Sequence, residues 1–320
     1  MATPAQDDNR VALLAPSPIL TVTLEHGDGK EELHLHPGGQ GFWVARMVRE
    51  LGVGVSFCAP LGGEVGAVLR ALIERERIEL CPIETSGWNG AYVHDRRDDT
   101  VCEIGETSSP RLARHEIDGL YGTMLSASLE AQLTVLTGPR SEDILDSDFY
   151  RRLAADLRST GCTVLADLSG PPLDSALGGG IDLLHLSERE LGERERGSGR
   201  RTAALTDEGE TVTAMKRLHE EGARQVLLTR GPRPALVLLE DGLHELAGPV
   251  FEPREPRGAG DSLVAAIAAS LASGRPIKRA LRMGVAAGAL NAARRGLGTG
   301  SPDDIRRLAG AVTLRPLEAG

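Results

Sequence analysis

The sequence has few aromatic residues and no long apolar segment. Phe, Trp and Tyr make up 3% of its 320 residues, so few rings are available for stacking nucleic-acid bases. The core must therefore be built from Leu, Val, Ile and Ala. No stretch approaches the roughly 18 apolar residues of a membrane span, and the polar, acidic N-terminus does not form a secretion signal. We expect a cytoplasmic protein that does not bind membranes.

Cysteine and positive charge are also scarce. Cys58, Cys81, Cys102 and Cys162 are far apart and include no C-x-x-C pair, so their spacing indicates neither a zinc site nor a disulfide framework. Lys plus Arg number 36 against 46 Asp plus Glu, a net charge of −10. This sign is unfavourable for neutralising phosphates on a duplex. The composition therefore predicts reduced thiols and no nucleic-acid partner.

The length and the 41% hydrophobic content are enough for one large domain with a small appendage. From residue 133 onward, short apolar strands alternate with helices, which predicts a mostly parallel sheet covered on both faces. The segment 192–201, rich in Gly, Arg, Glu and Ser, is predicted to be a surface loop. Further strands are predicted at 11–15, 53–60, 133–136, 163–166, 181–184 and 226–229, and helices at 65–76, 149–158 and 211–221.

Two polar hairpins interrupt this pattern near the N-terminus. Residues 33–36 alternate so that Leu33 and Leu35 lie on one face of a strand and the two histidines on the other. Such alternation predicts a sheet with one covered face and one face in water. Residues 85–107 form a second hairpin of the same character. We expect the two hairpins to pair as a small separate sheet.

The segment 256–262 is the most informative in the chain. Gly258, Ala259 and Gly260 precede a small, apolar helical run, where backbone N–H groups can approach an anion closely. Asp261 would repel a phosphate, but it suits a base that takes the proton of an attacking hydroxyl. The alternative is that Asp261 only caps the helix or interacts with its dipole. The chain has neither G-x-x-x-x-G-K-[ST] nor G-x-G-x-x-G after its first strand.

The residues 258–261, together with Gly38-Gly39-Gln40-Gly41-Phe42-Trp43, resemble the paired signatures of the PfkB (ribokinase-like) carbohydrate kinase family. Ser187 to Glu190, Thr229 to Gly231, 286–288 and 298–300 support the resemblance, which is strongest to the 1-phosphofructokinase and tagatose-6-phosphate kinase branch. It implies a ribokinase-like, doubly wound α/β core with a small β lid. The implied boundaries are a flexible tail at 1–10, a core at 11–16, 37–83 and 108–320, and a lid at 17–36 and 84–107.

The resemblance also implies roles for individual residues. Asp261 would be the catalytic base, and Gly258, Ala259 and Gly260 would hold the transferred phosphoryl group. ATP and Mg²⁺ would be the cofactors, with Glu190 organising Mg²⁺ through water. A sugar-like small molecule would be the substrate. The other residues implied near ATP are Ser187, Thr229, Gly231 and Gly288.

The acceptor side departs from the family pattern. A Lys and an Asn of the first motif are replaced by Gln40 and Trp43, an Asp by Thr21, and a lid Arg by Trp88. These changes remove a charged contact for a second phosphate. Gln40, Trp43 and Trp88 would form a flatter, more apolar pocket that stacks a sugar, a nucleoside or another planar ring. Packing of a helix against the sheet is the alternative for Trp43.

Other residues are expected to complete the acceptor site. Gly38 and Gly39 of the first motif are expected beside the substrate. Arg140 follows a strand at its carboxyl end, where ligands of open α/β sheets bind. We expect it to replace the lost phosphate contact or to bind a carboxylate.

Two classes of function follow. The first is an ATP-dependent kinase that phosphorylates a hydroxyl of a sugar or sugar-like molecule, with a nucleoside kinase as a variant. The second is a catalytically impaired relative that binds a nucleotide or metabolite, because Thr21, Gln40, Ser187 and Pro234 all differ from the pattern. Unpaired strand edges of the lid also favour a homodimer.

Overall fold

The structure is a computed structural model that describes residues 9–27, 30–97, 102–141, 143–198, 207–252, 257–294 and 297–317. These residues form a ten-stranded sheet and a separate four-stranded sheet. Most of the predicted N-terminal tail, residues 1–8, lies outside the described residues, and Arg10 begins the first strand.

The described residues form fourteen strands and ten helices. The strands are β1 (Arg10–Leu14), β2 (Ile19–Gly27), β3 (Lys30–Gly38), β4 (Gly54–Leu61), β5 (Glu79–Glu84), β6 (Gly90–Asp95), β7 (Cys102–Thr107), β8 (Leu133–Thr137), β9 (Val164–Asp167), β10 (Ile181–Ser187), β11 (Ala223–Arg230), β12 (Arg233–Leu239), β13 (Gly242–Ala247) and β14 (Thr313–Pro316). The helices are α1 (Gln40–Glu50), α2 (Gly63–Arg75), α3 (Arg114–Leu129), α4 (Asp148–Ser159), α5 (Gly170–Gly179), α6 (Glu188–Gly197), α7 (Glu208–Glu221), α8 (Ala259–Ala272), α9 (Ile277–Ala292) and α10 (Pro302–Ala309).

The large sheet has the order β14-β13-β12-β11-β10-β9-β8-β1-β4-β5. The strands from β11 to β5 are parallel, as predicted, whereas β12, β13 and β14 add antiparallel pairs at one edge. Two hydrophobic clusters pack on opposite faces of this sheet, so its parallel strands are buried on both sides. No helix of the described segments is both long and apolar enough to cross a membrane.

The small sheet has the order β3-β2-β6-β7. The two predicted hairpins therefore pair, with β2 and β6 running parallel at the centre. The prediction that the leucine face is covered is wrong within this chain, because Leu33 is 60% exposed and Leu35 39% exposed. Val22, on the same face but nearer the core, is packed against the core. The outer part of the face has no such cover from the described residues.

The prediction of a surface loop at 192–201 is wrong for residues 192–197, because α6 extends to Gly197. Ser187 caps this helix, and its backbone N–H donates to the Glu190 carboxylate at 2.8 Å. Arg194 in the last turn forms ion pairs with Asp174 at 2.7 Å and Glu221 at 2.5 Å. Capping and these ion pairs stabilise a helix whose sequence is too polar to show an apolar stripe. Residues 199–201 lie outside the described residues.

Asn89 joins the small sheet to the core. Its buried side chain donates to the carbonyl oxygens of Pro18 at 3.3 Å and Pro60 at 3.0 Å, and accepts from the N–H of Gly62 at 2.9 Å. One amide thus satisfies three backbone groups from the segments before β2, at the end of β4 and before α2. Because backbone groups buried at such a junction need partners, Asn89 fixes where the small sheet begins.

We expect Asn89→Ala to lower the free energy of unfolding by about 2–4 kcal/mol, since three buried backbone groups lose their partner. Equilibrium urea denaturation measures the change. The control is Trp88→Phe at the adjacent exposed position, which loses only one exposed hydrogen bond, to the Ser108 carbonyl oxygen, and should cost about 1 kcal/mol or less. Equal losses in the two variants would contradict the role assigned to Asn89.

Candidate active site

The start of α8 places Asp261 at the carboxyl edge of the large sheet. Gly258 precedes the helix in a left-handed conformation with φ of 72°, which favours glycine. Asp261 lies in the first turn, where it is mostly buried among protein atoms. Gly288 on α9 lets that helix approach closely, because a Cβ at this position would lie 2.9 Å from the Ala259 oxygen. The small residues thus fix the position of the turn and of the carboxylate that follows it.

Asn291, which the sequence reasoning did not identify, stabilises this turn from α9. Its buried side chain donates to the Arg257 carbonyl oxygen at 2.9 Å and accepts from the Ser262 hydroxyl at 3.1 Å. The two partners lie on either side of residues 258–261. A single amide therefore holds both ends of the glycine-rich turn. The only signal in the sequence was an Asn within an otherwise small, apolar helical segment.

A hydrogen-bonded chain of four side chains lies next to Asp261. The Gln40 amide donates to Asp167 Oδ2 at 2.7 Å, and His185 Nδ1 contacts Asp167 Oδ1 at 2.8 Å. His185 Nε2 lies 3.3 Å from the Thr229 hydroxyl. Asp167 and His185, at the ends of β9 and β10, were missed by sequence reasoning. The chain joins the first glycine-rich motif to the end of β11.

The charges in this region oppose ionisation of Asp261. Burial among protein atoms is the largest cause that raises the pKa of Asp261; the negative charges of Asp167 and Glu190 raise it too, His185 lowers it, and the resulting pKa is about 8. Burial also disfavours the charged form of His185, but the carboxylates of Asp167, Glu190 and Asp261 together outweigh this effect and raise the His185 pKa. A perturbed carboxyl in a cleft is typical of a functional site. Asp261 is therefore a strong candidate for proton transfer.

The residues predicted near ATP lie at the ends of the neighbouring strands β10 and β11. The Ser187 hydroxyl donates to Glu190 Oε2 at 2.6 Å, so both belong to the cap of α6. Thr229 ends near His185, and Gly231 follows in a turn with φ of 62°. Pro234 accepts a hydrogen bond from Arg230 at 2.6 Å through its carbonyl oxygen. Gly288 supports the α8 turn rather than this edge.

A cavity of about 190 Å³ lies where the small sheet meets the core. Its lining comes from three segments, residues 15–18, 38–42 and 137–140. The predicted residues Gly38, Gly39, Gln40 and Arg140 are thus brought together. Gln40 is bonded on both sides, because its Oε1 also accepts from the Gly138 N–H at 3.2 Å. Its side chain therefore supports the cavity wall.

Two polar side chains from the small sheet and the core lie near this cavity. The Thr21 hydroxyl oxygen is buried and has no hydrogen-bond partner among the described residues. It lies close to Gly38, where an added Cβ would be 2.9 Å from it. Arg140 donates to Glu106 at 2.6 and 2.8 Å and lies over the Tyr92 ring at 5.4 Å. Arg140 thus links the core to strands β6 and β7.

Neither tryptophan lines this cavity, so the described residues do not bring Trp43 and Trp88 together with Gln40 there. Trp43 packs edge-on against Phe42 at 5.1 Å between ring centroids, and its backbone is covered by Gly298. This is the packing alternative left open above. Trp88 is 56% exposed and donates to the Ser108 carbonyl oxygen at 3.1 Å. Trp43 thus packs within the helix layer, and Trp88 lies at the junction of the small sheet with the core.

Comparisons with known proteins agree with this geometry. The family model described as pfkB family carbohydrate kinase matches residues 22–304. The chain is 28% identical over 287 residues to ATP-dependent 6-phosphofructokinase isozyme 2 of Mycobacterium tuberculosis (strain H37Rv), covering 89% of this chain and 82% of that protein. It is 26% identical over 264 residues to 1-phosphofructokinase of Bacillus subtilis, covering 82% and 84%.

Solved structures show the same fold. The crystal structure of phosphofructokinase-2 from Escherichia coli in complex with potassium superposes with a TM-score of 0.81 at 24% identity, covering 94% of this chain and 98% of that chain. The same protein has been solved in a tetrameric inhibited form, with a TM-score of 0.79. The ribokinase-like α/β architecture expected from the sequence is thus confirmed.

The buried position of Asp261 predicts how stability depends on pH. Its folded-state pKa of about 8 exceeds the ordinary value of 3.8, so unfolding releases a proton between these two pH values. The wild-type protein should lose stability across this window as the pH rises, and Asp261→Asn should not. Denaturation at several pH values should show the advantage of the variant growing from about pH 4 to about pH 8 and then staying constant.

The matched control is Asp303→Asn, in the first turn of α10, where the side chain is exposed and paired with Arg306. This variant should follow the wild type at each pH. A stability advantage of Asp261→Asn that did not change with pH would contradict the burial of a carboxyl with a raised pKa.

Proposed function

Since the chain belongs to the pfkB family of carbohydrate kinases, we propose that Asp261 is the base that activates a sugar hydroxyl for attack on the terminal phosphoryl group of ATP. The observation that carries this proposal is the Asp261 carboxyl beside the left-handed turn at Gly258. Backbone N–H groups of this turn, at the N-terminus of α8, favour the negative charge of the transferred group. We propose that the enzyme acts in the cytoplasm.

Proton transfer requires Asp261 in its ionised form. The neighbouring carboxylates disfavour that form, and the imidazolium of His185 favours it. The carboxylates of Asp167 and Glu190 in turn favour the protonated form of His185. The pair therefore positions a positive charge that tunes the base. Because Asp261 must lose its proton before it can accept another, turnover should rise with pH through its apparent pKa.

We assign the nucleotide to the edge formed by Ser187, Thr229 and Gly231. Thr229 and Gly231 lie at the end of β11 and would face the phosphates, and Glu190 would hold Mg²⁺ through water. Carboxylate oxygens suit this hard cation. The described residues offer no cluster of three or more ligating side chains that could hold a metal alone, which fits an ion carried mainly by phosphates and water. Bound Mg²⁺ would neutralise charge on the bridging oxygens.

The acceptor would bind in the cavity beside Gly38, Gly39 and Arg140. The unpartnered Thr21 hydroxyl suits an acceptor hydroxyl, which would supply its missing hydrogen bond. The Arg140–Glu106 pair supports an acceptor that carries a phosphate or carboxylate only if that group displaces Glu106. Because neither tryptophan lines the cavity, stacking of a nucleoside base is not supported. The relatives are named as phosphofructokinases, which makes fructose phosphates the first acceptors to test.

We propose that the small sheet, residues 17–36 and 84–107, acts as a lid. Arg140, which lines the cavity, joins the core to Glu106 and Tyr92 of the small sheet. A lid held closed by such contacts would exclude water, so that ATP is not hydrolysed without an acceptor. The junction at Asn89 would be the fixed point about which the lid opens.

We expect Asp261→Asn to reduce turnover by about 10²- to 10⁴-fold, because general base catalysis contributes on this scale. A coupled assay with ATP, Mg²⁺ and a panel of sugars, sugar phosphates and nucleosides measures turnover, and calorimetry measures ATP binding. Binding should remain nearly unchanged, since the amide keeps the shape of the turn. Asp303→Asn should retain full activity. If the wild type binds ATP but phosphorylates none of the acceptors, the impaired-relative hypothesis would replace this one.

We further propose that the exposed leucine face of the lid joins two copies of the chain. Leu33 and Leu35 are large apolar side chains on β3, an edge strand of the small sheet, and unpaired edges with apolar faces favour association. Leu33→Lys combined with Leu35→Lys should convert a dimer into a monomer in sedimentation analysis. His34→Lys, on the opposite face of β3, is the control and should stay dimeric. A monomeric wild type would contradict the proposal.

A further inference from the structure

Cys58 and Cys81, 23 positions apart in sequence, are neighbours in the fold. They are direct Cα partners in the parallel pair β4 and β5, so their side chains leave the sheet on the same face. Neighbouring strands lie about 4.8 Å apart, within the Cα separation of about 4.4–6.8 Å that a disulfide spans. Both are free thiols in the structure. The backbone therefore already meets the distance requirement for a bond between them.

The two thiols differ in their access to solvent. β5 is the outer strand of the large sheet, and Cys81 on it is partly exposed. Cys58 is completely buried, with its sulfur 3.9 Å from the Thr123 carbonyl oxygen of α3. A reagent from solution would therefore reach Cys81 first, and Cys58 would react only with a group already attached to Cys81.

The surroundings favour a thiolate at Cys81. The thiol of Cys58, as hydrogen-bond donor, is the largest cause that lowers the pKa of Cys81; Arg10 and Ser56 lower it too, burial and Glu130 raise it, and the resulting pKa is about 7. The same interaction, together with burial, raises the pKa of Cys58. A substantial fraction of Cys81 is thus thiolate at neutral pH beside a Cys58 thiol, the arrangement in which one sulfur attacks and the other resolves.

Arg10 is held in place beside this pair. Its Nη1 donates to the Ser56 hydroxyl at 3.0 Å, and it forms an ion pair with Glu79 on β5. Ser56 and Glu79 are themselves strand partners, and each lies two residues before a cysteine on its strand. The two pairs therefore lie on the same face of the sheet. The guanidinium is therefore fixed on the face of the sheet that carries both sulfurs.

We propose that Cys58 and Cys81 form a peroxide-reactive dithiol site, separate from the phosphoryl-transfer site and independent of it. The Cys81 thiolate attacks a hydroperoxide, ROOH, which breaks the O–O bond and gives Cys81–SOH and RO⁻; the latter takes a proton from water. The Cys58 thiol then displaces the hydroxyl group, forming the S–S bond and releasing water with its proton. Two thiols are oxidised and one peroxide is reduced.

Treating the reduced full-length protein with hydrogen peroxide tests the proposal. Mass spectrometry should show the loss of two hydrogens and a single cross-linked peptide pair containing Cys58 and Cys81, reversed by dithiothreitol. Oxygen added at Cys81 without a cross-link, or a disulfide that involves Cys102 or Cys162 instead, would overturn the assignment.

Single variants separate the two roles. In Cys58→Ser, Cys81 should stop at the sulfenic acid, which dimedone traps, and in Cys81→Ser, Cys58 should remain reduced. Cys162→Ser, at another partly exposed thiol, should cross-link like the wild type. If peroxide oxidised Cys58 in Cys81→Ser as fast as in the wild type, Cys81 would not be the attacking residue.

A measurement on the wild type alone keeps the test valid if a variant fails to fold. The rate of iodoacetamide alkylation at Cys81 should rise with pH to a midpoint of about 7. Arg10→Gln should move the midpoint to higher pH. A midpoint at or above the ordinary cysteine value of about 8.5 would overturn the proposal.

Discussion

The proposed chemistry depends on keeping a negative charge on Asp261 where the protein disfavours it. Burial and the carboxylates of Asp167 and Glu190 raise its pKa, and the imidazolium of His185 lowers it. A base whose pKa lies near the working pH is both ionised often enough and basic enough to accept a proton. The balance depends on His185, because a neutral imidazole would leave three carboxyl groups without that opposing charge. A bound cation would shift the balance towards ionisation, whereas the negative phosphates of a nucleotide would oppose it.

Asp167 connects this balance to the cavity that we propose for the acceptor. It bonds to His185, which sets the charge beside the base, and to Gln40, which forms part of the cavity wall. Gln40 is in turn fixed by the Gly138 N–H on the opposite wall. A shift of the first glycine-rich motif on acceptor binding would therefore act on the hydrogen bonds of Asp167. The strand order makes this possible, because β9 and β10 are adjacent and end at the same edge.

The features predicted from the sequence are those that a local pattern of residues determines. The features that were missed are contacts between distant segments, which depend on how strands and helices are arranged. Apolar strands and the turn at 258–261 were visible in single segments, and the paired hairpins followed from alternation. The polar contacts of His185 and Asn291, and the adjacency of Cys58 and Cys81, arise only once distant strands and helices are side by side. The helix at 192–197 was missed because capping and ion pairs, not an apolar stripe, stabilise it. The role of Trp43 was ambiguous because both helix packing and ligand stacking favour a large aromatic side chain.

Asp261 and the residues of the cavity are held by different elements of the fold. Side chains of the cavity can therefore be substituted while the position of Asp261 is kept. Asp261 depends on the close approach of α8 and α9, where Gly288 and Asn291 tolerate little substitution without moving the turn. Thr21 belongs to the small sheet and Arg140 to the loop after β8, where a new side chain alters contacts without moving Asp261. The Arg140–Glu106 pair illustrates this freedom, since the guanidinium is present but already paired with a carboxylate of the small sheet. In the proposed mechanism an acceptor anion would have to compete with Glu106, so its recognition would depend on opening of this ion pair.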